Sequence, residues 1–247
     1  MPVISVPKEF FVSERNTVYG SWGSAYWREL LSNSIDAGAS QIMIRGNFTD
    51  DEKFRIDFLD NGKGMSREIV EDVYMRLGES TKKEEDGIGG FGRARILTCF
   101  SQESYKIRTR DIVVSGQGAS YDIEQSDRTV KGCAITTSMP ASDARRLING
   151  LRDVLRQSHL KCSVVLSLPE ERPDGGSVPQ IDSAHLTDAP NGKKFTGWSH
   201  KGRSFRTLSD EKGEWGTAYI SNGATAVRHS SIVRVNGMAM YEDHLGV

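Results

Sequence analysis

Several large protein classes are excluded by what this chain of 247 residues has little of. Its three cysteines, Cys99, Cys133 and Cys162, lie far apart with no C-x-x-C spacing, which argues against a disulfide framework and a zinc site and fits a reducing cytoplasm, or a nucleus in a eukaryote. Charge of either sign is not in excess: 32 Lys and Arg stand against 33 Asp and Glu, a net charge of −1, so nothing pulls the whole chain toward nucleic acid or membrane and any such contact must be local. There is no apolar signal core, and the longest apolar runs, such as Val164 to Leu166, are far too short for a bilayer, so a soluble protein without a membrane partner is expected. Internal repeats and low-complexity tracts are absent as well.

What remains is organised around two short stretches. In Glu29-Leu30-Leu31-Ser32-Asn33-Ser34-Ile35-Asp36-Ala37-Gly38-Ala39, the residues Glu29, Asn33 and Asp36 stand at i, i+4 and i+7. On a helix they share one face, with Leu30, Leu31 and Ile35 directed toward a core. Such a polar stripe is either a solvated face or a site. Ser24 is the expected N-cap of a helix over residues 25–37, with Gly38 its stop. Residues 1–23, with Pro2, Pro7, Gly20 and Gly23, read as an extended arm. Strands are expected over 41–45 and 54–59, the second alternating so that Phe54, Ile56 and Phe58 share a face that Asp60 continues. A carboxylate at a buried strand end is costly unless something is there to hydrogen-bond with it. It opens the turn Asp60-Asn61-Gly62-Lys63-Gly64-Met65.

A second helix is expected over 66–77, capped by Ser66, with Ile69, Val70, Val73, Tyr74 and Leu77 inward. From Gly78 to Gly92 the chain is first charged and then glycine-rich, which reads as a mobile lid or a disordered connection. Within it, 87–92 matches G-x-G-x-x-G, but Lys82, Lys83, Glu84, Glu85 and Asp86 stand where a dinucleotide fold needs a hydrophobic strand. The surviving reading is an anion site made of glycine amides leading into the helix expected over 93–100. Short strands follow at 104–110, 112–115, 120–124 and 133–139, then a helix over 144–161 with Leu147, Ile148, Leu151, Val154 and Leu155 inward beside a basic stripe of Arg145, Arg152, Arg156 and His159, and a strand over 162–168. Pro169 to Pro179 reads as a boundary or large loop. Beyond it, Lys193, Lys194, His200, Lys201, Arg203 and Arg206 with Phe195, Trp198 and Phe205 between them read as a solvated surface in preference to a weak nucleic-acid pattern, and Asn236-Gly237 reads as a hairpin.

In this order the pieces resemble the GHKL ATPase superfamily, the Bergerat fold of type II topoisomerases, heat-shock-90 chaperones, MutL and MORC proteins and histidine kinases. Glu29-x-x-x-Asn33-x-x-Asp36-Ala37 is similar to its N-box, Asp60-x-Gly62-x-Gly64 to its first glycine box and Gly89-Gly90-Phe91-Gly92 to its second, at the end of the ATP lid. Lys131-Gly132-Cys133-Ala134-Ile135 is a weaker match to the later Gly-Thr box. The resemblance covers roughly residues 20–168. It implies an α+β fold, a two-layer sandwich with a mixed and largely antiparallel sheet, and ATP with Mg²⁺ as cofactors. It also implies roles: Glu29 as the base that activates water, Asn33 as the Mg²⁺ ligand, Asp60 as acceptor for the adenine amino group, Gly62, Gly64 and Met65 as the turn against the base, Gly89, Gly90, Phe91 and Gly92 around the phosphates, and Lys82 as a lysine either at the γ-phosphate or merely solvated. Asp36 receives no catalytic role. Two positions depart from the pattern. Cys133 replaces a threonine and is a poorer hydrogen-bond partner for Asp60 and the base, and in Arg93-Ala94-Arg95 arginine and glycine stand exchanged relative to relatives.

Among the relatives the histidine kinases fit least, because they need no hydrolytic glutamate and carry a preceding helical domain. Asn33-Ser34-Ile35-Asp36-Ala37-Gly38-Ala39 is most similar to the MutL and MORC version, and residues 216–240 resemble the opening of a MutL transducer domain or are an ordinary hairpin. The expected organisation is an ATP-binding domain with an N-terminal arm over 1–170 and a loop-rich extension over 171–247, in an N-terminal fragment of a longer protein. The expected activity is slow, Mg-dependent ATP hydrolysis driving lid closure and homodimerisation, with nucleic acid a weakly supported partner. The alternative is an ATP-sensing, partner-binding switch or a heat-shock-90-like chaperone module with little turnover.

Overall fold

The computed structural model describes residues 6–18, 21–77, 95–158, 160, 162–169, 173, 192–194, 198–200, 203–205, 208–210, 213–222, 228–235 and 238–246; from 192 onward it describes only the backbone, Met238 excepted. The chain divides into two compact units, residues 1–151 with 162–180 and residues 152–161 with 181–247.

The first unit is built on a five-stranded sheet in the order β3-β4-β2-β1-β5. Its strands are β1 (Gln41–Phe48), β2 (Lys53–Asp60), β3 (Ser104–Gln117), β4 (Ser120–Pro140) and β5 (Ser163–Ser167). All neighbours are antiparallel except β1 and β5, which are parallel. The period-2 alternation places Ile42, Ile44, Phe54, Ile56, Phe58, Tyr105, Ile107, Ile135 and Met139 on one face, all buried. Helix α1 spans Lys8–Val18 and α2 spans Trp22–Asp36. From α2, Trp22, Tyr26, Trp27, Leu30 and Leu31 are also buried. Each side chain of this kind contributes roughly 1.5–3 kcal/mol on burial, so this layer outweighs the polar contacts that orient it. Those contacts fix the register of α2: the Tyr26 and Thr137 hydroxyls share a 2.7 Å hydrogen bond, and the Trp27 indole donates to the Leu147 carbonyl at 2.7 Å. The result is the expected α+β sandwich with helices on one face of a mixed sheet.

The extended N-terminal arm is corrected. Residues 8–18 are helical, and Phe11 packs on Phe100 with ring centroids 5.3 Å apart. Pro7 precedes the first turn, where proline costs nothing, so the breakers bracket the helix without interrupting it. The start of α2 also differs, with Ser21 at the N-cap position and Gly23 inside the helix. A Cβ on Gly23 would lie 2.5 Å from the Arg146 carbonyl oxygen, and one on Gly150 would lie 2.4 Å from the Gly23 carbonyl carbon. Both belong to the crossing of α2 with the third long helix, Ala144–Gln157, so Gly23 is a packing residue and not a chain breaker.

Elsewhere, expected breaks prove continuous. The two pairs of short strands are single strands, β3 and β4, whose alternation slips at bulges around Arg110. The helix expected over 66–77 begins at Arg67 under the Ser66 cap, whose hydroxyl accepts from the Ile69 amide, and becomes a π-helical turn over Val70–Tyr74. The wider turn shifts the inward face, so Met75 is buried while Leu77 is 46% exposed. A second π-helical turn, Ile96–Phe100, stands where a helix over 93–100 was expected. Helix 144–157 ends four residues earlier than the periodicity suggests, with its expected inward residues buried.

In the second unit, Gly213–Asn222 pairs antiparallel with Arg228–Val235, which pairs with Met238–Gly246; Gly192–Lys194 and Leu208–Asp210 also pair with the first. Trp198–His200 and Arg203–Phe205 form a separate pair. The hairpin expected at Asn236-Gly237 and the side chains of the basic stretch at 193–206 lie outside the described residues.

The tightest backbone approach in the first unit is at Gly132, with φ +78° and an ideal Cβ position only 1.9 Å from the Asp60 carbonyl oxygen. Gly132→Ala is expected to lower stability by at least about 1–3 kcal/mol, from left-handed backbone strain plus the clash, read as an earlier urea midpoint at unchanged slope. A midpoint equal to wild type would show that the β2–β4 contact yields without cost.

Candidate functional site

The site is assembled where the end of β2 meets the end of α2. Asp60 closes β2, half-buried, paired across the sheet with Ile42 on one side and Cys133 on the other. Its Oδ1 accepts the Gly62 amide at 2.8 Å and its Oδ2 accepts the Ser34 hydroxyl at 3.1 Å. Loss of water raises the Asp60 pKa above its ordinary value, and these bonds, with one from the Cys133 backbone, oppose the rise. The carboxylate is thus oriented by three hydrogen bonds and forms no ion pair among the described residues.

The turn after Asp60 is docked on the helix C-terminus. The Lys63 amide donates to the Ala37 carbonyl at 2.9 Å, and a Cβ on Gly62 would lie 2.8 Å from the Ala37 Cβ. Gly38, at φ +72°, ends α2 in the left-handed conformation expected of its stop residue. Asn61 ties the turn to β1: its Oδ1 accepts the Ser40 and Gln41 amides at 2.9 and 3.0 Å. Gly64 has φ +67°, and a Cβ there would lie 2.8 Å from both the Gly132 carbonyl oxygen and the Thr109 hydroxyl. That hydroxyl is the pivot of the far side, accepting from the Met65 amide at 2.8 Å and donating to the Gly132 carbonyl at 3.0 Å.

Ser34 and Thr109 are the residues that sequence reasoning left without a role. Ser34 lies in the quoted motif beside Asn33, and its neighbour's importance was the available signal. Thr109 had none, being 44 residues from Met65 and 23 from Gly132. It is the cross-strand partner of Cys133, so a threonine hydroxyl does stand beside the Gly132-Cys133 step, on the neighbouring strand. Burial and the nearby charge of Asp60 push the Cys133 thiol pKa up, so this sulfur is a neutral thiol and a weak hydrogen-bonding group.

Glu29 and Asn33 lie one turn apart on α2, both half-buried, while Leu30 and Leu31 are buried and Asp36 is exposed. This is the sharing of a face that the i, i+4 spacing implies. Ile35, expected in the core, is half-buried. Of the Arg93-Ala94-Arg95 departure, Arg93 and Ala94 lie outside the described residues and Arg95 lies within them. It is buried over the Tyr74 ring, 5.2 Å from its centroid, and donates to the Tyr74 and Val73 carbonyls at the end of the first π-helical turn. Burial lowers its pKa, and the charge of Glu29 is among the influences opposing that shift, so the two side chains feel one another. The structure therefore brings together Asp60, Gly62, Gly64, Met65 and Cys133, on a helix end that carries Glu29 and Asn33. Lys82, Gly89, Gly90, Phe91 and Gly92 lie outside the described residues. No cluster of three or more His, Cys, Asp or Glu suited to a metal occurs among the described residues. No helix is long and apolar enough to cross a membrane among the described residues.

The N-terminal domain of a DNA repair protein is similar in structure at 15% identity, with a TM-score of 0.48, covering 88% of this chain and 73% of that one. The Aquifex aeolicus MutL ATPase domain complexed with ADP is similar at 15% identity with a TM-score of 0.37, covering 67% of this chain and 61% of that one. No curated protein matches the chain. Residues 26–144, which run from α2 to the start of the last long helix and include Asp60 and Cys133, match the family described as histidine kinase-, DNA gyrase B-, and HSP90-like ATPase. That match lies over the helix, strand end and turn just described, so this stretch is similar to the GHKL ATPase family.

Proposed function

We propose that this domain binds ATP at the Asp60 turn and hydrolyses it slowly, using Glu29 as the general base. The observation that carries the reading is the Asp60 carboxylate: half-buried, without an ion pair among the described residues, and held by the Gly62 amide and Ser34 hydroxyl at a strand end. Such a desolvated acceptor stabilises the fold poorly but suits a ligand that brings its own donor, as the adenine amino group does. Gly62 and Gly64 let the turn pack directly against Ala37 and against Gly132 and Thr109, which holds its backbone beside the carboxylate. Cys133, a neutral thiol paired with Asp60 across the sheet, offers the base only a weak hydrogen-bond partner.

The triphosphate is assigned to the exposed side of α2, toward Asn33 and Glu29. Asn33 supplies an amide oxygen, a donor type that Mg²⁺ accepts, and one protein ligand is enough where phosphates and water complete the shell. When bound, Mg²⁺ neutralises charge that develops on the phosphates. Glu29, one turn earlier, orients a water and takes its proton as that water attacks the γ-phosphate. Arg95, held between the Val73 and Tyr74 carbonyls, places a fixed positive charge within electrostatic reach of Glu29. Lys82 and Gly89 to Gly92 enter the proposal from the sequence motif alone, as phosphate contacts. Lid closure, homodimerisation and a nucleotide-operated clamp, MutL-like or MORC-like in DNA metabolism, complete the reading. Nucleic acid itself remains its least supported part.

ATP at about 100 Kd is expected to add roughly 2.7 kcal/mol of stability, a melting shift of about 5–11 °C for a chain of this size. Glu29→Ala should keep that shift and lose turnover by about 10²–10⁴-fold in a phosphate-release assay; unchanged turnover would make the domain a nucleotide sensor and not an ATPase. Asp60→Asn separates stability from binding. Because the folded pKa of Asp60 is raised, ionisation costs stability as pH rises from the ordinary carboxylate range upward through the folded value. Without nucleotide, Asp60→Asn should therefore melt higher than wild type at neutral pH, with the difference vanishing at acid pH where both side chains are neutral. With ATP the variant should show almost no shift, and a full shift would remove Asp60 from adenine recognition.

A further inference from the structure

Among the described residues, one face of the five-stranded sheet is covered by helices and the other is open. From their alternation, the open face carries Met43 and Arg45 from β1, Arg55, Asp57 and Leu59 from β2, Lys106 and Arg108 from β3, Ala134 and Thr136 from β4, and Val165 from β5. Cross-strand register sorts them into two rows. One runs Lys106, Thr136, Asp57, Arg45, and the next runs Arg108, Ala134, Leu59, Met43, Val165. The second row is apolar apart from Arg108, with Leu59 36% and Val165 44% exposed, so this is apolar surface left in water. A groove of ≈ 390 Å³ runs along the first row and reaches Leu59 and Ala134 of the second, with Arg45, Arg55, Asp57, Lys106 and Arg108 in its walls.

The charge beside this row is mainly basic. Asp57, the acid within the two rows, is already engaged: Arg55 donates to it at 3.0 Å and the Thr136 hydroxyl at 2.6 Å, while Asp122 lines a neighbouring cavity with Lys106 and Thr136. Arg45, Lys106 and Arg108 are exposed and take part in no ion pair among the described residues. We propose that the open face of the sheet is a docking surface for an acidic, amphipathic helical segment of a partner protein, whose apolar stripe lies on the Leu59, Met43 and Val165 row and whose carboxylates meet Arg45, Lys106 and Arg108. The chemistry selects that partner. Five strands about 4.8 Å apart make a row roughly 19 Å long, the length of about 13 helical residues. A single-stranded nucleic acid would use the cations but needs stacking platforms, and no aromatic side chain projects from the open face of these described strands. An apolar row is wasted on phosphates, whereas alternating leucines and glutamates use both halves of the surface. The inference rests on this face alone and stands apart from the nucleotide site behind it.

The test uses the full chain and a fluorescein-labelled peptide of about 14 residues with glutamate and leucine at helical spacing, followed by anisotropy. The peptide should bind, and a scrambled peptide of the same composition should bind more weakly. Arg45→Glu with Arg108→Glu, and separately Leu59→Ser, should each weaken binding by about tenfold, since a change of 1.4 kcal/mol at an interface is a factor of ten. Both variants should keep the wild-type melting transition and its response to ATP. If the charge-reversed variant does not fold, Arg45→Gln with Arg108→Gln replaces it with the same expectation. Equal affinity of wild type and variants, equal binding of the scrambled peptide, or no peptide binding overturns the proposal. So does preferential binding of oligo(dT) that the arginine variant abolishes, or self-association in sedimentation that either variant abolishes, because the face would then serve nucleic acid or a second copy.

Discussion

A half-buried carboxylate with no ion pair among the described residues is the constraint on which the first unit depends. Asp60 ends β2 on the helix-covered face, in line with Phe54, Ile56 and Phe58, so the strand period that builds the core also drives the acid into it. Its desolvation is tolerated because the Gly62 amide and Ser34 hydroxyl orient it. Those two donors require the turn to fold back onto α2, which in turn requires Gly62 to sit against Ala37 and Gly132 to pass within clash distance of the Asp60 carbonyl. One polar side chain thereby dictates the backbone of two glycine turns and the seating of one helix.

The helix bearing Glu29 and Asn33 is seated with comparable definition. Buried rings hold it to the sheet, the Trp27 indole and Tyr26 hydroxyl select its rotation, and the Gly23–Gly150 approach sets its distance from the last long helix. The side turned away from the core keeps its polar residues half-buried, neither solvated nor sealed. Groups meant to meet a charged ligand belong in that environment, because a lower effective dielectric strengthens each contact while leaving an approach for substrate. Arg95 adds a charge whose position is held by the carbonyls of Val73 and Tyr74.

The two faces of the sheet share strands but not chemistry. Alternate residues along β2 place Asp60 on the helix-covered face and Leu59 on the open face, and along β3 the same step separates Thr109 from Arg108. A partner on the open face would thus press on residues covalently next to those that shape the Asp60 turn. This adjacency follows from the pleat alone.

By itself the sequence determined the α+β class, the helix carrying Glu29 and Asn33, the strand delivering Asp60, and the glycines at the left-handed positions 38 and 64, because helix and strand periods and glycine's missing Cβ are local properties. It misled wherever a breaker acted through packing: Pro7 and Gly20 bracket a helix, Gly23 serves a helix crossing, and the interruptions in β3 and β4 are bulges. Only the tertiary structure decided that Ser34 orients Asp60, that Thr109 locks Met65 to Gly132, that Arg95 clamps a π-helical turn, and that one sheet face stays open. Each of these joins residues far apart in the chain, and no local pattern encodes which distant donor reaches which acceptor.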